Sequence, residues 1–125
     1  MMQTPLGKVR GHGSAGEGTG TFWRQRLTAA ANVPLMLFFT GIVISLAGAS
    51  YEQVTETLAR PVVNVLMILM MVSVSVHMRI GMKEIIEDYV HGPLLKVTLV
   101  IASTFFCAFT GAASVFALLK IAFGA

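Results

Sequence analysis

Residues 77–91 read His-Met-Arg-Ile-Gly-Met-Lys-Glu-Ile-Ile-Glu-Asp-Tyr-Val-His and follow directly on an apolar run. Three side chains in this stretch have the chemistry of a redox site. A neutral imidazole such as His77 ligates iron. Asp88 can accept and deliver a proton, and the Tyr89 phenol can donate a hydrogen bond to a carbonyl at membrane depth. A quinone needs both, because its two-electron reduction takes up two protons from the aqueous side. Each residue also has a plainer role. His77 fits an interfacial histidine bonded to a neighbouring helix or to headgroups, Tyr89 an aromatic-belt residue, and Asp88 a solvated acid. On residue type alone both sets of roles stand.

Spacing adds geometry. On a regular helix, at about 100° per residue, Met70, Ser73, His77, Gly81, Glu84 and Asp88 fall along one stripe. His77 and Asp88 are then only about 20° apart around the axis and roughly 16 Å apart along it. Gly81 leaves a notch one turn from the imidazole, against which a flat cofactor can lie. Tyr89 sits about 120° from the stripe. It reaches the same site only if the helix unwinds near Gly92-Pro93, or if the site lies to one side. Haem b usually takes two axial ligands, yet His12 and His91 lie in polar segments, and Met70 and Met78 are poor substitutes. A haem at His77 therefore requires a second ligand from another subunit. Lys83, Glu84 and Glu87 suit a solvated surface or a docking face for a water-soluble partner. Nothing in the sequence resembles a nucleophile–base pair, a phosphate loop or a cysteine metal cluster.

The elements that must position these groups are membrane helices. Of 125 residues, 55% are hydrophobic and only 12% charged. The charges are segregated: Leu27 to Tyr51, Pro61 to Met78 and Val97 to Leu119 contain none. A span needs about 20 apolar residues. The chain is accordingly predicted to be an all-α membrane protein with three transmembrane helices, at about 27–48, 61–80 and 97–119, within a domain over 23–125. The glycine-rich residues 1–22 are expected to form a flexible cytoplasmic tail, and they lack the apolar core of a signal peptide. Trp23, Arg24 and Arg26 anchor the start of the first span, Glu52 to Arg60 reads as a polar link, and Pro61 opens the second helix. That helix is expected to run past the bilayer edge, since nothing breaks it before Gly92-Pro93.

Orientation follows from the basic residues. Lys8, Arg10, Arg24 and Arg26 in the tail and Arg79, Lys83 and Lys96 in the second loop outnumber Arg60 and Lys120. The positive-inside rule then places the N-terminus and the 77–89 segment inside and the C-terminus outside. The net charge of +3 comes from these flanks, with no basic patch interleaved by aromatics, so nucleic acid is excluded as a partner. The lone Cys107 lies mid-span and reads as a small packing residue. Gly41, Ser45 and Ala49 on the first helix, and Ser103, Cys107 and Gly111 on the third, have the small-xxx-small spacing of close helix contacts.

The run His77-x-x-Ile80-Gly81-Met82 followed by Asp88-Tyr89-Val90 resembles the signature of the cytochrome-b-type hydrophobic membrane anchor subunit of succinate dehydrogenase. Arg26-x-Thr28-Ala29 at the first span and Thr4-Pro5-Leu6-Gly7 in the tail are similar to the same family, as are the length, span number and orientation. The resemblance implies a multi-pass subunit of the bacterial inner membrane, without dehydrogenase chemistry of its own. It implies that His77 is an axial ligand to haem b iron, opposite a histidine of a second cytochrome b anchor subunit. It implies that Tyr89 hydrogen-bonds ubiquinone where the anchors meet the iron–sulfur subunit, with Asp88 supporting proton transfer and Arg26 near the haem propionates. A flavoprotein subunit would then carry succinate oxidation. The alternatives are a fumarate reductase anchor using menaquinone and a structural or assembly protein with no cofactor.

Overall fold

The computed structural model describes residues 4–11 and 18–124, and the fold is helical throughout. Parts of the expected flexible tail, His12 among them, lie outside the described residues. Within that tail a short helix, α1 (Pro5–Arg10), is capped by Thr4, whose side chain accepts from the Gly7 N–H at 3.0 Å, with Pro5 in its first turn.

Among the described residues, three helices are long and apolar enough to cross a membrane: α2 (Gly18–Ser45), α4 (Pro61–Tyr89) and α5 (Pro93–Ala122). Helix α2 begins before its apolar run, because the polar residues ahead of Leu27 continue the helix outside hydrocarbon, where no apolar pattern is needed. Pro34 lies inside α2 and removes one ladder donor, which helices in lipid tolerate. As expected, Pro61 opens α4, and α4 continues unbroken to Tyr89 before Gly92 and Pro93 start α5.

The expected link over 52–60 is instead a helix, α3 (Tyr51–Ala59). Ser50 and Gln53 form a reciprocal capping box: the Gln53 N–H donates to Ser50 Oγ at 3.3 Å and the Ser50 N–H to Gln53 Oε1 at 2.9 Å. Hydrogen bonds from its own backbone N–H and from the Ser50 hydroxyl hold the exposed Glu52 carboxyl below its ordinary value of 4.5.

Helix α4 is central: it packs against both α2 and α5, whose backbones stay apart from each other among the described residues. Near α3, Met67, Met70 and Leu118 form a buried cluster joined by Leu35, Phe38 and Phe39 from α2 and Leu58 from α3. Asn64, buried beside it, donates from Nδ2 to the Leu58 carbonyl at 2.9 Å and the Leu118 carbonyl at 2.8 Å. One amide thus ties α3, α4 and α5 together, in surroundings where an unpaired carbonyl is costly.

The two small-residue stripes behave differently. Cys107 and Gly111 are buried against α4, and a Cβ placed on Gly111 would lie 2.8 Å from Ser75 Oγ and 3.1 Å from Ser75 Cβ. Only glycine permits this approach. Gly41, by contrast, is exposed and a methyl added there would meet nothing within 4 Å, while α2 ends at Ser45, so Ala49 falls beyond the helix expected to carry it.

Candidate functional site

The end of the bundle opposite α3 is built where the first part of α2 runs antiparallel to the second half of α4. Ser73, His77 and Gly81 on one face of α4 all point at α2. The His77 Nδ1 lies 3.1 Å from Thr28 Oγ1, and the Ser73 hydroxyl donates to the Thr28 carbonyl at 3.4 Å. The notch at Gly81 is not empty, since a Cβ there would meet Gln25 Nε2 at 3.7 Å. The space that the sequence pattern leaves for a flat cofactor is therefore shared with an α2 side chain.

Gln25, Thr28 and Asn32 form a polar stripe on α2, at the helical spacing of one face. Both Gln25 Oε1 and Asn32 Oδ1 are shielded from solvent and accept no hydrogen bond. The Thr28 hydroxyl also contacts the carbonyls of Arg24 at 2.8 Å and Gln25 at 3.1 Å. From sequence, Thr28 stands out only as part of a motif, Ser73 only as a place on the α4 stripe, and Gln25 and Asn32 not at all. Polar residues inside an otherwise apolar run were the available signal.

The imidazole is half-buried, with Nδ1 turned into the helix pair. That arrangement suits a single-ligand contribution to iron: one ring nitrogen held by the protein, the other left for a metal. Among the described residues no group of three or more His, Cys, Asp or Glu could hold a metal alone. The residues on the page fit one protein ligand, His77, for such a group.

Arg26 is exposed near the start of α2, with its guanidinium 4.9 Å from the Phe22 ring centroid, and Phe22 meets Trp23 edge-on at 5.9 Å. It does not pack on His77 through any of these contacts; it belongs to an aromatic–cation cluster of the kind that sits at headgroup depth. Asp88 and Tyr89 end α4, both exposed, with Tyr89 78% accessible. Because α4 stays helical through Tyr89, the phenol remains off the His77 stripe, and any site it serves lies to one side. The structure brings together His77, Thr28 and Ser73, and leaves Asp88, Tyr89 and Arg26 open at the surface. Lys96 Nζ donates to the Glu87 carbonyl at 3.1 Å, fastening the start of α5 to the last turns of α4. Lys83 and Glu87 make an exposed pair at 3.7 Å, worth only about 0.3–0.5 kcal/mol.

Comparison with known proteins identifies a family. Residues 1–118 match the model of a family described as succinate dehydrogenase/fumarate reductase transmembrane subunit. The chain is 32% identical over 122 residues to the succinate dehydrogenase hydrophobic membrane anchor subunit of Paracoccus denitrificans, a match covering 98% of this chain and 94% of that relative. The chain belongs to the succinate dehydrogenase/fumarate reductase transmembrane subunit family.

Proposed function

We propose that this family member anchors a succinate:ubiquinone oxidoreductase in the bacterial inner membrane, co-ligates haem b through His77 and lines the ubiquinone site with Tyr89. One observation carries the reading. A single unbroken helix, α4, holds an imidazole against α2 and ends in an exposed acid and phenol. From His77 to Tyr89 the rise is roughly 18 Å at about 1.5 Å per residue. The two groups therefore serve neighbouring sites rather than one.

Within that reading each residue has a separate task. His77 would present one ring nitrogen to iron, and a histidine of the other anchor subunit would hold the same group. Bound there, haem b supplies reversible one-electron chemistry. Arg26 is placed to offset propionate charge at the headgroup boundary. Tyr89 donates its O–H to a quinone carbonyl and orients it. Asp88, one residue away and exposed, would pass protons inward as the quinone takes up two electrons and two protons. Succinate itself is oxidised in the flavoprotein subunit, with the iron–sulfur subunit carrying electrons between them. The exposure of Asp88 and Tyr89 accords with a site that a water-soluble subunit closes. The Lys/Arg asymmetry supports a cytoplasmic side for this end and for the tail over residues 1–22.

Affinity purification of the tagged chain from its native membrane tests the whole reading. It should bring down haem b absorbance, a flavoprotein, an iron–sulfur protein and a second small three-span protein with an intramembrane histidine. Purification of the chain without haem or partners would overturn it. Ubiquinone preferred over menaquinone is the expected result when both are offered to the complex.

A further inference from the structure

We propose that Thr28 is a positioning residue for the iron ligand: its hydroxyl holds His77 in the tautomer protonated on Nδ1 and so leaves the Nε2 lone pair facing iron. The inference rests on the reading of His77 as a haem ligand.

Proton counting carries it. A threonine hydroxyl has one proton to give and lone pairs to receive. Around Thr28 Oγ1 lie the Arg24 carbonyl at 2.8 Å, the Gln25 carbonyl at 3.1 Å and His77 Nδ1 at 3.1 Å. Both carbonyl oxygens can only accept, so either contact is a hydrogen bond only when the hydroxyl proton points back into the α2 backbone. Were that proton turned towards Nδ1 instead, two close oxygen–oxygen contacts would be left with no hydrogen between them. The satisfied arrangement has the hydroxyl donating to the preceding turn of α2 and accepting from Nδ1–H. The imidazole is then a donor at Nδ1, and Nε2 keeps its lone pair.

The same geometry fixes the ring. Ser73, one turn before His77 on α4, donates to the Thr28 carbonyl at 3.4 Å, so Thr28 is tied to α4 through its backbone as well as its side chain. Both side chains are half-buried between α2 and α4, where water competes poorly for these bonds. A histidine that donates its second ring N–H is a more electron-rich ligand. It favours the ferric over the ferrous state, so Thr28 lowers the haem midpoint potential. Polarisation of the hydroxyl by the Arg24 carbonyl acts in the same direction.

The test is a redox titration of haem b in the purified complex, with low-temperature spectra of the low-spin signal. Thr28→Val keeps the shape and removes the acceptor. It should retain a bis-histidine spectrum while the midpoint rises by about 30–60 mV, a threefold to tenfold change in the ferric/ferrous ratio at about 59 mV per tenfold. Haem affinity should fall about tenfold, the low end for loss of such a partner. Thr28→Ala should match Thr28→Val, so the result does not depend on how valine packs, and Thr28→Ser should restore the wild-type potential. Wild-type potentials in Thr28→Val and Thr28→Ala, with His77→Ala losing the low-spin signal, would overturn the role of Thr28 and leave the ligand standing. An intact bis-histidine signal in His77→Ala would overturn both. Failure of Thr28→Val and Thr28→Ala to assemble, with Thr28→Ser assembling, would mark the hydroxyl as a helix-packing group and also overturn the proposal.

Discussion

Replacing Gly111 by alanine should push α5 away from α4, the helix that carries His77, and the size of the effect follows from one contact. The added methyl would sit 2.8 Å from Ser75 Oγ and 3.1 Å from Ser75 Cβ. Carbon atoms rest at about 3.5–4.0 Å, so the Cβ–Cβ pair must open by roughly half an ångström. Ser75 Oγ can rotate away, but its Cβ is fixed to the α4 backbone, so α4 and α5 must move apart. Cys107, only 2% exposed one turn away, loses part of its packing in the same movement. A radial gap of about 0.5–1 Å forfeits a quarter to a half of each contact's attraction. Overpacking of this kind costs about 1–3 kcal/mol. Gly41→Ala is the control, since nothing lies within 4 Å of the added methyl. It should be neutral or stabilise α2 by about 0.5–1 kcal/mol. The assay is thermal unfolding of the purified complex, with Ser75→Gly as the relieving partner. In the double variant Gly111→Ala should cost less than it does alone, by about 0.5–3 kcal/mol of coupling. A Gly111→Ala protein as stable as Gly41→Ala, or a cycle with no coupling to Ser75, would show that this contact does not set the separation of α4 and α5.

Other expectations follow from the same structure. Asn64→Ala strands the Leu58 carbonyl and weakens the junction of α3, α4 and α5, which should lower stability by about 1–3 kcal/mol in the same unfolding assay. Tyr89→Phe keeps the ring and removes one donor, typically worth about 0.5–1.5 kcal/mol, so succinate–quinone activity should fall severalfold. Activity with an artificial dye acceptor and haem content should be unchanged; full quinone activity at every quinone concentration would return Tyr89 to a belt residue. Reporter fusions at the C-terminus should read external, because the basic residues flanking the spans lie overwhelmingly on the other side. A cytoplasm-active reporter there would contradict the topology.

The spans were legible because hydrocarbon imposes a length and a composition that no other environment demands, and α4 begins at Pro61 as read, while α5 begins at Pro93, four residues before the apolar run at Val97. Helix boundaries outside hydrocarbon were less so. The start of α2 at Gly18 crosses glycines and polar residues that carry no apolar period, and α3 reads as a polar link although Ser50 and Gln53 spell its capping box. The spacing of small residues announced close contacts but not which stripe would be used. Gly111 packs and Gly41 does not, a choice set by how α4 lies between its neighbours. For the site, the order His77, Asp88, Tyr89 could be read because all three ride one helix. Thr28 could not be matched to His77, since the contact joins residues 49 positions apart and depends on the register of α2 against α4.

Most of the proposed function hangs on His77 as an iron ligand, and the haem spectrum reports on that bond directly. Low-temperature spectra of haem b should be compared between the wild-type complex and His77→Ala. Because His77 falls at the end of its apolar run, and polar changes at a span's end cost insertion little, the variant chain should still insert. The bis-histidine low-spin signal should disappear, with haem lost or converted to a high-spin form. A variant complex with the wild-type signal at full haem content would mean that the iron takes its ligand from another residue.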